Sequence, residues 1–279
     1  MSASVLPIPE FVEAYPDENC YSILCRCAVR SALSTSRFRS EMFQNKRDLN
    51  CLVWQPFRME DLSQWFDDAG KRVRDYLKKH SCASYRYPFL EQKSRTYLQD
   101  WQDGERLTKG QYVSLTRDLG YRGWKAKYLQ YCPECVKSDR EKYGETYWHM
   151  IPQLPGVTVC PVHMVPLESS VLTWNNTKYD LLPAEYWLKD VKPRKETILY
   201  DDLRVAADTK WMVENGWNSE INFRLLIDGL SIWQFEQAEA KTSLYAVTRS
   251  VKAETLYYIL LANVKGMSIS ECVTPYGSC

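Results

Sequence analysis

Two short motifs, Tyr131-Cys132-Pro133-Glu134-Cys135 and Cys160-Pro161-Val162-His163, decide how the middle of this chain folds. Each motif places two metal-binding side chains with two residues between them, and 24 residues separate the two motifs. In such a pair a tight turn points both side chains at one ion, while backbone amides face the sulfurs. Four protein ligands complete a tetrahedron and leave no position for water or substrate, which is typical of structural zinc. The predicted ligands of this single Zn2+ site are Cys132, Cys135, Cys160 and His163.

Other interpretations of these residues fit the sequence less well. Cys132 and Cys135 alone would suit a thioredoxin-like redox pair, but the presence of a second pair argues against that chemistry. His149 is the alternative fourth ligand. We prefer His163 because its spacing from Cys160 repeats the spacing of the first pair.

The other cysteines show no second set of four ligands. A disulfide framework would require export, for which the N-terminus gives no signal. We therefore expect ordinary thiols at Cys20, Cys25, Cys27, Cys51, Cys82, Cys272 and Cys279.

The segment between the two motifs, residues 136–159, is rich in Lys, Glu, Tyr and Pro but short of aliphatic residues. Such a segment is not expected to build a core of its own, so the metal would take the place of one. Zinc in modules of this kind supplies on the order of 10 kcal/mol of folding free energy. We therefore expect Cys132→Ser, or chelation of the metal, to unfold the segment.

The overall composition is that of an ordinary globular protein. The 279 residues are 45% hydrophobic and 25% charged, and 36 Lys and Arg face 35 Asp and Glu, a net charge of +1. This composition excludes a disordered chain. The near-zero net charge argues against binding of nucleic acid by electrostatic attraction over the whole surface. The chain contains no phosphate-binding loop, no H-E-x-x-H and no G-x-S-x-G, so the sequence indicates a protein that is not an enzyme.

The location of the protein is predicted from the absence of targeting signals. The N-terminus has neither a basic region nor an apolar core of signal-peptide length. The longest apolar run, residues 256–262, is far short of the roughly 20 residues that span a bilayer. We expect a cytoplasmic protein with no membrane partner.

Helical patterns dominate the rest of the chain. Residues 15–19 supply a helix start with Asp17 as the cap, and an apolar face follows, with Arg26 lying off that face. Further helical patterns cover residues 59–79, 203–211 and 253–264, and residues 223–233 show a weaker one. The last helix and the residues after Gly266 have the outline of a DNA-binding helix-turn-helix. The alternative interpretation is that these helices only pack together. The predicted fold class is mainly α, with a small zinc-ribbon-like β element.

Beyond these patterns, the chain resembles the TniQ/TnsD family of bacterial transposon target-site selectors. The resemblance covers roughly residues 7–168 and is strongest at its two ends. It is carried by residues 15–18, 21–22, Arg26, 128–135, Asp139, 143–145, 147–149, 153–156 and 159–167. It implies a TniQ-like domain at 1–170, with a helical N-terminal part and a zinc finger at 128–168, followed by a mainly helical C-terminal region at 171–279.

The resemblance also implies a function and a set of partners. Members of this family are adaptors without catalytic activity that bring the AAA+ ATPase TnsC to a chosen target DNA, where the transposase acts. Short members bind an RNA-guided CRISPR effector, Cascade with its guide RNA, whereas long members recognise attachment-site DNA directly. The length and the charge of this chain favour the RNA-guided class, with a truncated DNA-reading selector as the alternative. Whether the molecule works as a homodimer is left open.

Overall fold

The structure is a computed structural model that describes residues 12–43, 75, 78–102, 107–118, 128–154, 156–173, 176–178, 180–189 and 197–216. Most of the helix predicted at 59–79 lies outside the described residues. The patterns at 223–233 and 253–264 and the helix-turn-helix outline also lie outside them. No described helix combines the length and the apolar composition that a bilayer-crossing segment requires.

The described residues are mostly helical, with one small sheet, as the sequence predicts at this level. The helices are α1 (Cys20–Arg30), α2 (Thr35–Phe43), α3 (Ala83–Arg86), α4 (Gln92–Gln102), α5 (Lys109–Asp118), α6 (Pro133–Tyr143), α7 (Ala184–Trp187) and α8 (Tyr200–Asn215). The strands are β1 (Tyr128–Tyr131) and β2 (Glu168–Thr173). Short 3-10 turns lie at Tyr87–Phe89, Ile151–Gln153 and Asn176–Lys178.

Helix α1 forms where the apolar pattern predicts it, but its cap is a different residue. The side chain of Asn19 accepts a hydrogen bond from the backbone amide of Ser22 at 2.8 Å, so Asn19, and not Asp17, is the N-cap. Asp17 instead adopts a left-handed conformation with φ 56°, which Asp tolerates better than most residues. This turn directs the Asp17 carboxylate toward the backbone amide of Ile151 and away from the start of α1.

The two strands pair in an antiparallel sheet that brackets the metal motifs. Gln130 pairs with Ser169 and Tyr131 with Glu168, with an irregularity between Tyr128 and Gln130. The other edge of β1 is covered by a side chain. The amide of Gln153 accepts from the backbone nitrogen of Gln130 at 3.1 Å and donates to its carbonyl at 2.7 Å. The side-chain amide therefore replaces a third strand at this edge.

The hydrophobic core is shared by residues from both sides of position 170. Tyr21 and Trp148 are fully buried, and Ala206 and Met212 of α8 belong to the same cluster. The Tyr21 hydroxyl donates to the carbonyl of Asp180 at 2.8 Å, and the indole nitrogen of Trp148 donates to the carbonyl of Leu182 at 2.8 Å. The segment that follows β2 therefore packs directly on α1, while the 170/171 domain boundary stays a prediction.

Candidate metal centre

The first ligand pair lies at the start of helix α6. Strand β1 ends at Tyr131, and Cys132 is the N-cap of α6, with its sulfur accepting from the backbone amide of Cys135 at 3.4 Å. Pro133 occupies the first turn, where its missing amide hydrogen costs nothing. The tight turn predicted between the two cysteines is thus the first turn of a helix. The positive end of the α6 dipole favours thiolates at this position.

The second pair lies on a turn that folds back on itself. The backbone amide of His163 donates to the sulfur of Cys160 at 3.4 Å, which repeats the arrangement of the first pair. The turn is closed by backbone hydrogen bonds from Met164 to the Cys160 carbonyl and from Cys160 to the Val165 carbonyl. Both pairs therefore present a sulfur that faces a backbone amide, as the spacing predicts.

The four side chains meet at one point. The ligand atoms of Cys132, Cys135, Cys160 and His163 all lie within 4.8 Å of one another. The Nδ1 atom of His163 is 3.6, 3.3 and 3.7 Å from the three sulfurs in chain order, and the sulfurs of Cys135 and Cys160 are 3.7 Å apart.

These separations can be compared with those required by a metal ion. A tetrahedral zinc ion with Zn–S bonds of about 2.3 Å and a Zn–N bond of about 2.0 Å separates sulfur ligands by about 3.8 Å, and sulfur from nitrogen by about 3.5 Å. The observed distances match both values to within a few tenths of an ångström. The cluster could therefore hold a metal ion.

The electrostatics of the cluster favour a cation. Hydrogen bonds from the thiols of Cys132 and Cys135 lower the pKa of Cys160 far below its usual range. Hydrogen bonds of Cys135 with Cys132 and Cys160 raise the pKa of Cys135 far above that range. Three crowded sulfurs cannot all ionise unless a positive charge lies among them, so metal binding at this site would displace protons.

His149, the alternative ligand, is engaged elsewhere. Its Nε2 atom lies 2.9 Å from Oδ2 of Asp139, and its Nδ1 atom lies 3.5 Å from Oδ2 of Asp17. Burial acts to lower the pKa of His149, but the hydrogen bonds and charges of the two carboxylates outweigh it and raise that pKa to about 10. His149 is therefore a cation at neutral pH, held between two acids, and it does not belong to the metal cluster.

A second buried network surrounds Arg26, which the sequence pattern places off the apolar face. Arg26 is 4% exposed and its partner Glu18 is 0% exposed, with 2.7 Å between Nη1 and Oε2. The Nε atom of Arg26 also donates to Glu145 at 3.0 Å, and the guanidinium lies 3.6 Å from the ring centre of Tyr15. Together these contacts tie the N-terminal segment to Glu145, which lies just beyond the Gly144 cap of α6.

The two networks involve residues for which the sequence predicts either no role or a different one, such as the helix cap at Asp17 and the alternative ligand at His149. Asp17, Glu18 and Arg26 come from the N-terminal part of the resemblance, and Asp139, Glu145 and His149 come from the stretch between the ligand pairs. None of them is a ligand, yet each joins residues 15–30 to residues 139–149. The family resemblance could have identified these six residues. It includes more polar residues than the four ligands that one metal site uses.

Residues 136–159 share the hydrophobic core around α1 and do not depend on a core of their own. Several apolar side chains of this segment lie in the same cluster as Tyr21 and Leu24 of α1, because the segment folds over that helix and does not stand alone. These buried residues are Val136, Trp148, Ile151, Leu154, Val157 and Val159. A metal ion would therefore supplement the packing of this segment and would not substitute for it.

Comparison with known proteins agrees with this architecture. The chain is similar to the transposon Tn7 transposition protein TnsD of Escherichia coli, with 24% identity over 163 residues. That alignment covers 56% of this chain but only 30% of the relative. The sequence model of the TniQ family matches residues 9–167, which include α1, the small sheet's first strand and all four residues of the metal cluster. On this evidence the chain belongs to the TniQ family.

Proposed function

We propose that this chain is a non-catalytic target-selection adaptor in DNA transposition. The observation that carries the proposal is the TniQ match over more than half of the chain, together with similarity to a transposition protein. The metal cluster supports a role without catalysis, because four protein ligands would close the coordination shell of a bound ion and leave no position for a reacting group.

We also propose that Cys132, Cys135, Cys160 and His163 bind one structural Zn2+. The donor set of three sulfurs and one imidazole is soft enough to favour zinc over magnesium or calcium. The ion would tie the start of α6 to the turn at 160–165. Around this site the buried networks of Arg26 and His149 fix the N-terminal segment, so the adaptor would present one rigid surface to its partners.

The partners proposed are a target-bound complex on one side and the AAA+ ATPase TnsC on the other. We infer that the target-bound complex is Cascade with its guide RNA and that the protein acts in the bacterial cytoplasm. The net charge of +1 supports partners that are mainly proteins, because a chain that reads DNA alone needs a clear excess of Lys and Arg on its contact surface.

A TnsD-type selector that reads attachment-site DNA is the second candidate. The observation that favours it is the relative itself, a protein named TnsD, of which this chain matches 30%. On this proposal the chain corresponds to part of a longer selector that recruits the same ATPase.

Reconstitution with purified components tests both candidates. The metal-loaded chain is expected to retain TnsC on beads and to restore targeted insertion to a mixture of Cascade, TnsC and transposase. Tight, sequence-selective binding of attachment-site DNA in a gel shift, maintained as salt is raised and without any partner, would favour the second candidate. Failure to bind TnsC with either target complex present would contradict both.

A further inference from the structure

A cleft of about 760 Å3 lies beside the metal cluster, where Asp75, residues 78–84, α6 and α8 come together. This volume is in the range of ligand sites in proteins. Cys135, Cys160 and His163 form part of one wall. Apolar side chains supply much of the remaining described lining, among them Ile151, Pro152, Val162 and Val213.

Among the described residues, some charged side chains of the cleft form ion pairs within the chain and others do not. Asp17 and Asp139 are held by His149, and Glu214 forms an ion pair with Lys210. Asp75, the remaining carboxylate of the described lining, is exposed to solvent.

Two lysines of the lining, Lys79 and Lys142, are also exposed, and neither forms an ion pair within the described part of the chain. Because most of the acidic lining already has an internal partner, these two ammonium groups favour an occupant that carries carboxylates.

The aromatic residues of the cleft argue against a nucleic acid as occupant. Single-stranded nucleic acids are held by bases that stack on exposed aromatic rings. Tyr147 is buried and stacks on His149 with ring centres 4.3 Å apart, and Tyr143 stacks on Tyr15 at 4.3 Å. Each of these rings already stacks on another ring, and the ammonium of Lys142 lies 5.0 Å from the ring centre of Tyr143. The described lining therefore favours an occupant with apolar and acidic groups over stacked bases.

We propose that this cleft binds a peptide segment of a partner protein, which packs an apolar side chain against the apolar lining that includes Val162 and Val213 and places flanking carboxylates near Lys79 and Lys142. An apolar anchor in a pocket with charged groups at its rim is the usual arrangement of an interaction hot spot. The inference rests on the proposed adaptor function, since it names the chemistry by which the adaptor would hold one of its protein partners.

The direct test is selection of random 12-residue peptides displayed on phage against the full, metal-loaded chain. We expect enrichment of peptides with one large apolar residue flanked by Asp or Glu. The selected peptide, labelled with fluorescein, should bind at least about tenfold more weakly to Lys142→Glu and to Val162→Asp than to the unchanged chain. An oligo-dT strand of 12 nucleotides should bind more weakly than the peptide.

Matched substitutions outside the cleft control for effects on charge and folding. Lys137→Glu changes an exposed lysine of α6 that does not line the cleft, and Val171→Asp changes an exposed valine of β2. Both controls should bind the peptide as the unchanged chain does, and all four variants should retain one metal ion per chain. Enriched peptides without acidic residues, equal loss in the controls, no enrichment at all, or tighter binding of oligo-dT would each overturn the proposal.

Targeted insertion measured with the same variants separates this inference from the proposed function. If Lys142→Glu and Val162→Asp lose both peptide binding and insertion, the cleft holds a partner that the adaptor needs. If they lose peptide binding but insertion is unchanged, the adaptor function stands and the cleft does not serve it. If the unchanged chain directs no insertion, the proposed function itself fails.

Discussion

Replacement of Arg26 by leucine gives the sharpest test of how the N-terminal segment is held. The substitution removes the partner of Glu18, a carboxylate that is 0% exposed, and leaves that charge buried without compensation. It also removes the hydrogen bonds to Glu145 and to the carbonyl of Glu13. Breaking a buried ion pair from one side costs about 3–5 kcal/mol, and we expect a loss of unfolding free energy of that size.

Chemical denaturation of the metal-loaded chain measures this loss, and Arg30→Leu is the matched control. Arg30 is 47% exposed and contacts the same Glu145 at 2.7 Å, so its removal should cost less than about 1 kcal/mol. The double substitution Arg26→Leu with Glu18→Leu should be more stable than Arg26→Leu alone, because no charge is then left buried.

The pH dependence of the same variant provides a second measurement. Burial raises the pKa of Glu18, and the charge of Arg26 opposes that rise. Without Arg26 the folded-state pKa of Glu18 moves further above its unfolded value. The penalty should therefore be present in full above the folded pKa and vanish as Glu18 becomes protonated in acid. A cost for Arg26→Leu no larger than for Arg30→Leu, or one independent of pH, would refute this reasoning.

Three further perturbations test other parts of the structure. Removal of the metal by a chelator should abolish hydrogen-exchange protection at residues 160–167 but leave α1 protected, because α1 lies in a hydrophobic core that does not contain the metal ligands. Loss of protection throughout would show that the core depends on the metal. Gly216→Ala should cost about 1–3 kcal/mol in thermal or chemical unfolding, because its Cβ would overlap the backbone oxygen of Ser84. Gly110→Ala, in open space on α5, should instead be neutral or stabilising, and equal effects would contradict this packing. The pKa of His149, raised to about 10, means that its stabilisation is complete below about pH 6.5 and is lost as the pH rises through 10. The difference in unfolding free energy between the unchanged chain and His149→Gln should therefore narrow across that range, whereas a constant difference would exclude an ion pair.

Local features of this fold are readable from sequence because they depend on neighbours along the chain. The apolar spacing of Tyr21, Leu24 and Cys25 is sufficient to predict α1, since a helix brings those positions onto one face. The two-residue spacing within each ligand pair likewise predicts sulfurs that face backbone amides, and both pairs show this contact at 3.4 Å. Asn19 displaced Asp17 as the cap because the turn at Asp17 turns its carboxylate to the backbone amide of Ile151.

Tertiary structure alone decided how these local pieces are joined. Arg26 and Glu145 are 119 positions apart, and their ion pair exists only because residues 136–159 fold over α1. The same fold places His149 between Asp17 and Asp139, which settles that it is not part of the metal cluster. The sequence by itself determined which side chains suit a metal and which segments are helical, because spacing fixes local geometry. It did not determine which charges are buried together, because burial depends on surfaces that meet only after the whole chain has packed.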